Sequence, residues 1–312
     1  MRLITIILLS FSYSAVILVP DDYPTIQQGI DASIDGDSVI VFAGIYYEII
    51  NYNGKDIIVT ASFGPDSTII DANGTGPAVK IENVESNYVE LSGFTIQNAY
   101  NSADGGAVYV VNSSPNFKDL IIHNNISWNK GGGVYINGGS QTFRNCKIND
   151  NRVIDQSGNG GGMYCIHSEN LLIEDCEFNY NSSYKNGTGL YLNDSQVIIN
   201  NSKIIGNNQE LGYDLDYDFT SRPIPKGGGI YVYLTDIYLY NNVINSNISP
   251  GPGGGIFGFE SAFIIYHTEI SNNKALHPSM AAEGGGAVFL NSTILLDHIT
   301  LAYNNAPANT DG

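Results

Sequence analysis

Positive charge is scarce in this sequence. Thirteen lysines and arginines stand against 31 aspartates and glutamates, a formal charge of −18 over 312 residues. That balance excludes nucleic acid and anionic lipid as partners, because both are held through basic patches. It suits an extracellular surface that stays soluble in salt, or one that gathers cations. Long apolar runs are also missing: residues 3–11 are apolar but too short to span a bilayer, and no later stretch reads as a transmembrane helix. Cysteine occurs only three times, and the five histidines (His123, His167, His267, His277 and His298) show no metal-ligand spacing. They read as surface or turn residues.

Glycine is plentiful, with 35 residues, and it clusters. The stretch GGGVYINGGSQTFRNCKINDN at 131–151 opens on a glycine run, continues through Val134, Tyr135 and Ile136, turns, and closes on an asparagine after a second apolar stretch. This unit occurs seven times. Its aromatic position reads Tyr109, Tyr135, Tyr164, Tyr191, Tyr231, Phe257 and Phe289; its closing position reads Asn125, Asn151, Asn181, Asn207, Asn247, Asn273 and Asn304. The steps between them are 16, 16, 17, 16, 16, 16 and 15 residues, whereas the connection to the next glycine run varies from 5 to 19. A rigid period with all insertions at one point marks a solenoid whose loops project from one edge. Glycine triplets exclude helix, at about 1 kcal/mol per glycine. The short β-branched and aromatic runs, separated by Asn-Gly and Asn-Asp turns, read as strands. Each repeat is then one turn of strands and bends, and turns stacked about 4.8 Å apart make a parallel β-helix.

Alternation assigns the side chains. Three columns point inward: Val108, Val134, Met163, Leu190, Ile230, Ile256 and Val288; Val110, Ile136, Cys165, Leu192, Val232, Gly258 and Leu290; and Ile122, Ile148, Phe178, Ile204, Ile244, Ile270 and Leu301. The aromatics between the first two point outward. Rings in register bury their faces on one another and show only edges, so the row reads as a structural ladder rather than a sugar platform, worth about 0.5–1.5 kcal/mol per pair. The closing asparagines should stack as a hydrogen-bonded ladder, inward or borne on a turn. Lys147, Glu177 and Lys203 should share one outward position on three successive coils. Cys146 and Cys176 share a column one coil apart, close enough to bridge or else left reduced by diverging side chains; Cys165 is an inward free thiol.

The glycine–apolar–aromatic opening resembles the repeats of the chlamydial-type polymorphic outer-membrane proteins. Gly105-Gly106-Ala107-Val108 and Gly285-Gly286-Ala287-Val288 match that family's GGA[ILV] motif, and Phe178-Asn179-Tyr180-Asn181 matches its FxxN motif. The resemblance spans about residues 100–304. It implies an all-β fold, a single-stranded right-handed parallel β-helix of the pectin-lyase-like class, exported to the cell surface or outer membrane. It carries fold more firmly than function.

Residues 1–14 read as a signal peptide, with Arg2 before the apolar run and Ser12 and Ser14 at the cleavage positions. Residues 15–56 read as an N-terminal cap, with a short helix from Pro24 through Ile34 placing Ile26, Ile30 and Ile34 on one face. This run resembles the opening of pectin-lyase-like proteins, including their G-x-Y-x-E element, met by Gly44-Ile45-Tyr46-Tyr47-Glu48 and structural in those proteins. Residues 57–312 form the β-helix. Gly312 falls where the next glycine run would begin, which reads as a chain cut within the solenoid.

The strongest irregularity is the connection after Asn207. There Asp214, Asp216 and Asp218 alternate with Leu215, Tyr217 and Phe219, so an extended segment turns all three carboxylates one way. The loop is either a solvated acidic segment with its aromatics on the coil or a calcium site, though not an EF-hand, whose glycine and closing glutamate are absent. Arg222 and Lys226 lie near it, the parts of a pectin-lyase-like lyase; yet that family's R-x-P-x-x-R pattern is not met, and the polygalacturonase and later methylesterase motifs are missing. The sequence therefore reads as a secreted or cell-surface β-helix repeat protein, monomeric in solution, with a non-catalytic adhesive, structural or glycan-binding role toward an extracellular polysaccharide or a host or cell-surface ligand. A polysaccharide lyase or related enzyme acting on acidic polysaccharide is the alternative.

Overall fold

A computed structural model describes residues 14–84, 86, 88–209, 224–276 and 284–306. Residues 1–13 of the expected leader, the carboxylates Asp214, Asp216 and Asp218 with Arg222, His277, and the chain end from 307 all lie outside the described residues.

Each of the first six coils of the repeat region carries four short strands, and the seventh carries three among the described residues. In the first glycine-led coil they are Val108–Val111, Asn116–Lys118, Ile121–His123 and Ile126–Ser127. Each pairs in parallel with its counterpart one coil on. The result is four sheets, first to fourth in that order round the coil, with nine, eleven, ten and seven strands among the described residues. No helix among these residues is long and apolar enough to cross a membrane.

The corners explain the composition. Between the third and fourth sheets the chain turns at Asn124, Asp150, Tyr180, Gly206, Ser246, Asn272 and Tyr303, all at positive φ. The corner before the first sheet uses Gly131, Gly160, Gly187, Gly227, Gly253 and Gly284, and the other two corners use mainly Asn, Asp, His and Gly in the same conformation. One left-handed residue per corner sets the bend, and Asn, Asp and Gly adopt that conformation at least cost.

A left-handed residue leaves the next backbone N–H directed along the solenoid axis without a ladder carbonyl. The asparagine column supplies the missing acceptor. Asn151 donates both its backbone N–H (3.0 Å) and its Nδ2 (3.1 Å) to Oδ1 of Asn181, and its Nδ2 also donates to the Ile122 carbonyl (2.9 Å). The pattern repeats from Asn125 to Asn304, with every member but Asn304 fully buried. Two further corners use the same device with other chemistry. Where the first sheet turns into the second, Ser168 N–H donates to Ser195 Oγ, Ser195 N–H to Thr235 Oγ1 and Thr235 N–H to Ser261 Oγ. Where the second turns into the third, the acceptors are Cys176, Ser202 and Asn242.

Both turn cysteines are therefore members of a ladder. Cys146 N–H donates to Cys176 Sγ at 3.4 Å, which establishes their proximity. Their thiols both donate toward the preceding coil, Cys146 to the Phe117 carbonyl and Cys176 to that of Phe143, so they run alongside one another instead of converging. All three cysteines are free and buried, and burial pushes the thiols of Cys146 and Cys165 up, the latter to about 12. Thiol counting on unfolded, unreduced protein is expected to give three; a count of one would establish a disulfide. Cys176→Ser should be tolerated within about 1 kcal/mol, because serine fills the same role at position 202, whereas Cys176→Ala strands the Cys146 N–H and should cost roughly 1–3 kcal/mol.

The core columns follow the sequence pattern through six coils. In the seventh the register shifts by one: Ala287 pairs with Ile256, Val288 with Phe257 and Phe289 with Gly258. Phe289 therefore points inward and Val288 takes its place in the outward column, which corrects the aromatic alignment and assigns the two apolar columns to Ala287 and Phe289 rather than Val288 and Leu290. The reason is volume. A Cβ on Gly258 would lie 2.4 Å from the ring of Phe263, and Phe289 packs edge-on against that ring at 4.6 Å. The glycine leaves space that the two phenylalanines fill. Nor do three columns fill the coil: the second sheet adds Phe117, Phe143, Ile173, Ile199, Leu239 and Ile265, all buried.

The outward aromatics form a continuous stack from Tyr109 to Phe257, with centroids 4.6–5.6 Å apart and ring planes within 11°. Burial raises the phenols of Tyr135 and Tyr191 to about 12, so the stack is uncharged at neutral pH. Lys147, Glu177 and Lys203 share one outward column, with Lys203 Nζ 3.2 Å from Glu177 Oε1. Both ends of that pair are partly exposed, and it contributes about 1 kcal/mol at most.

At the N-terminal end the helix runs Ile26–Ala32, shorter than the sequence suggests: Ser33 caps it in an extended conformation, and Ile34 is 59% exposed outside the apolar face. Glu48 accepts from the N–H groups of Ile26 and Gln27 at 2.9 Å, and Lys55 Nζ donates to the carbonyls of Ile30, Asp31 and Ser33 at 2.7–2.8 Å. A carboxylate at one end and an ammonium at the other satisfy both open termini of a two-turn helix. The glutamate of the G-x-Y-x-E element thus has a structural role here.

Candidate functional site

The corner between the first and second sheets is lined by polar side chains on consecutive coils. Its left-handed residues are Asn83, Asn112, Gly138, His167, Asp194, Leu234 and Glu260. In that conformation each corner backbone bulges outward, and the hydroxyl ladder behind it holds the coils in register. Two cavities open along this edge. One of ≈ 790 Å³ is lined by Asn83, Asn112, Ser114, Gly139, Ser140, Glu169 and Asn170. The other, of ≈ 390 Å³, is lined by His167, Ser168, Glu169, Asp194, Ser195, Gln196, Leu234 and Asp236. Glu169 borders both, so they form one interrupted trough.

Its depth has a local cause. A Cβ on Gly139 would lie 2.1 Å from the Ser113 carbonyl and one on Gly138 would lie 2.9 Å from Asn112 Oδ1, and both glycines have positive φ. Only glycine lets the chain pass this close to the preceding coil at these two positions, and the absent side chains leave the trough open. Beneath it Gln141 Nε2 donates to the carbonyls of Ser113 (2.7 Å) and Gly138 (2.6 Å), and Ser168 Oγ donates to Gln141 Oε1 (2.9 Å). The floor is thereby fixed by a buried polar network, which preorganises the groups above it.

Electrostatics select the ligand class. Glu169, Asp194 and Asp236 are the carboxylates of the trough, and among the described residues no lysine or arginine lines it. His167 sits between Asn137 Oδ1 (3.1 Å from Nδ1) and Asp194 Oδ2 (3.7 Å from Nε2); the second contact is an ion pair only while the ring is protonated. Leu234 is exposed and left-handed, a conformation costly for a bulky side chain, and supplies an apolar edge. Amides, hydroxyls and carboxylates around an aliphatic contact suit a neutral polyhydroxylated ligand. They repel a polyanion.

The other residues singled out from the sequence fall elsewhere. Lys226 places Nζ 4.8 Å over the Phe257 ring, at the far border of the first sheet. His123 ends a strand of the third sheet, and His267 and His298 stack at 4.9 Å on left-handed corner positions. Among the described residues no three His, Cys, Asp or Glu side chains converge to hold a metal ion. Sequence pattern alone does not reveal the trough, because its lining residues lie about one coil apart in the chain and form no local motif. The double glycine Gly138-Gly139, outside the glycine-run position of the repeat, is the one available signal.

Comparison with known proteins gives one family. A family model described as "Right handed beta helix region" matches residues 77–251. No curated protein matches the sequence. Solved structures similar to this chain include pectate lyase Pel9A (18% identity, 92% of this chain and 78% of that one, TM-score 0.49). Others are the Aspergillus niger pectin methylesterase (13%, 97% and 88%, 0.45) and the A-module of the Azotobacter vinelandii mannuronan C-5 epimerase AlgE4 (14%, 92% and 94%, 0.42).

Proposed function

The chain belongs to the right-handed β-helix family, and on that premise we propose that it is a secreted or cell-surface scaffold that binds a neutral polysaccharide non-catalytically along the trough between its first and second sheets. The observation that carries this reading is the trough itself: a rigid polar channel running along the solenoid axis, lined by amides, hydroxyls and carboxylates, with no lysine or arginine among the described residues. Successive coils about 4.8 Å apart present similar groups at a repeat close to the length of one sugar residue. The apolar leader at 1–14 supports export, and the acidic surface supports a soluble monomer. The loop carrying Asp214, Asp216 and Asp218 is proposed as a calcium site.

Calorimetric titration with neutral and anionic polysaccharides, with calcium and with chelator, tests these points together. Binding is expected for a neutral polymer, and Asn112→Ala combined with Ser140→Ala should weaken it at least about tenfold, two lost hydrogen bonds at roughly 1 kcal/mol each. Binding of pectate alone, with release of unsaturated uronide, would replace this reading with the lyase. Affinity and thermal stability that ignore calcium would remove the metal proposal.

A further inference from the structure

We infer that Trp128 and Asp155 form a second sugar subsite at the opposite border of the first sheet, where the variable loops project. This rests on the glycan-binding reading above and adds a position to it. Trp128 is the only tryptophan of the chain and is 44% exposed. Many outward rings pair coil to coil, as in the Tyr109–Phe257 stack, Tyr233 with Phe259 and Tyr240 with Tyr266, whereas tyrosines such as Tyr180 and Tyr238 stand singly among the described residues. Trp128 has no ring partner among the described residues, and the 44% of it that is exposed is open to a ligand.

The loops around it are fixed. Trp128 N–H donates to the Asn101 carbonyl (2.8 Å), Asp155 N–H to the Trp128 carbonyl (2.8 Å), and Lys185 N–H to the Gly158 carbonyl (3.0 Å). Three successive loops are thus tied together. The Asp155 carboxylate, on the loop tied to Trp128, accepts from Ser157 N–H at 2.7 Å and from its hydroxyl. The Ser157 hydrogen bonds, first among the causes, hold the carboxyl below the usual carboxylate range, and the Lys185 charge and the neighbouring indole add to the effect. An indole carried on a backbone tied from both sides presents its exposed ring area at reduced entropic cost. The axial C–H face of a pyranose stacks on such a ring, and the adjacent carboxylate accepts a sugar hydroxyl. The fixed negative charge beside the ring favours neutral or amino sugars over uronates.

Because Trp128 is the only indole, its fluorescence reports this subsite alone. The full chain is titrated with neutral gluco-, manno- and xylo-oligosaccharides and with oligogalacturonate, followed by both emission and calorimetry. A blue shift with a neutral oligosaccharide is expected, at the dissociation constant that calorimetry gives. Trp128→Ala should lower the calorimetric affinity at least tenfold and Trp128→Phe less. Unchanged affinity in Trp128→Ala overturns the subsite and leaves the trough reading standing. Loss in Trp128→Ala with full affinity in the Asn112/Ser140 double variant sustains the subsite and overturns the trough. A shift with oligogalacturonate alone overturns the assigned sugar class.

Discussion

Replacing Asn181 by alanine is expected to lower the unfolding free energy by about 4 kcal/mol, the sum of stranding buried donors and an acceptor at roughly 1–3 kcal/mol each. The side chain is fully buried. Its Oδ1 accepts from Asn151 N–H (3.0 Å) and Nδ2 (3.1 Å), and its Nδ2 donates to the Ile148 carbonyl (2.8 Å) and to Asn207 Oδ1 (3.0 Å). Alanine removes the acceptor from both Asn151 donors and the donor from Ile148, with no water to replace them. The exposed Asn170 provides the control, where alanine should cost within about 0.5 kcal/mol. Urea midpoints at unchanged slope give both values. An Asn181→Ala protein within about 1 kcal/mol of the parent would show that the column does not carry the turn.

The second large effect is expected at Gly160, with a loss of about 3 kcal/mol in Gly160→Ala. Part of it, roughly 1 kcal/mol, is the cost of the left-handed conformation for an L residue. The rest is steric. The new Cβ would lie 2.5 Å from the Met163 carbonyl oxygen and 2.9 Å from Tyr164 Cβ, so the backbone of the strand Met163–Ile166 has to move, at about 1–3 kcal/mol. Asp150 has the same backbone conformation but already carries a side chain. Asp150→Ala should therefore show the conformational cost alone, about 1 kcal/mol or less. Equal losses at the two positions, measured by the same urea titrations, would mean that the space around Gly160 is irrelevant and only its φ matters.

The comparison between these corners shows how far local sequence reaches. The glycine run and the closing asparagine are legible because both answer a requirement of the chain itself: a left-handed residue, then a buried acceptor, at a constant step. The other two ladders are less legible, since serine recurs in one but gives way to Thr235, and cysteine, serine and asparagine all serve in the other. The cysteine pair shows the same limit from another side. Column spacing correctly brings Cys146 beside Cys176, yet only the direction of each Sγ, set by the carbonyl it donates to, separates a thiol ladder from a disulfide.

By itself, then, the sequence determined the period, the parallel strands, the inward columns of six coils and the asparagine ladder, because these follow from alternation and from conformational limits acting within a single coil. Tertiary structure alone decided the one-residue shift at Phe289, where the volume left by Gly258 outweighs the aromatic column. It also decided the trough and the setting of Trp128. Partners along the trough lie 26 to 40 residues apart, and their meeting depends on side-chain lengths and insertions in the coils between, which no local pattern records.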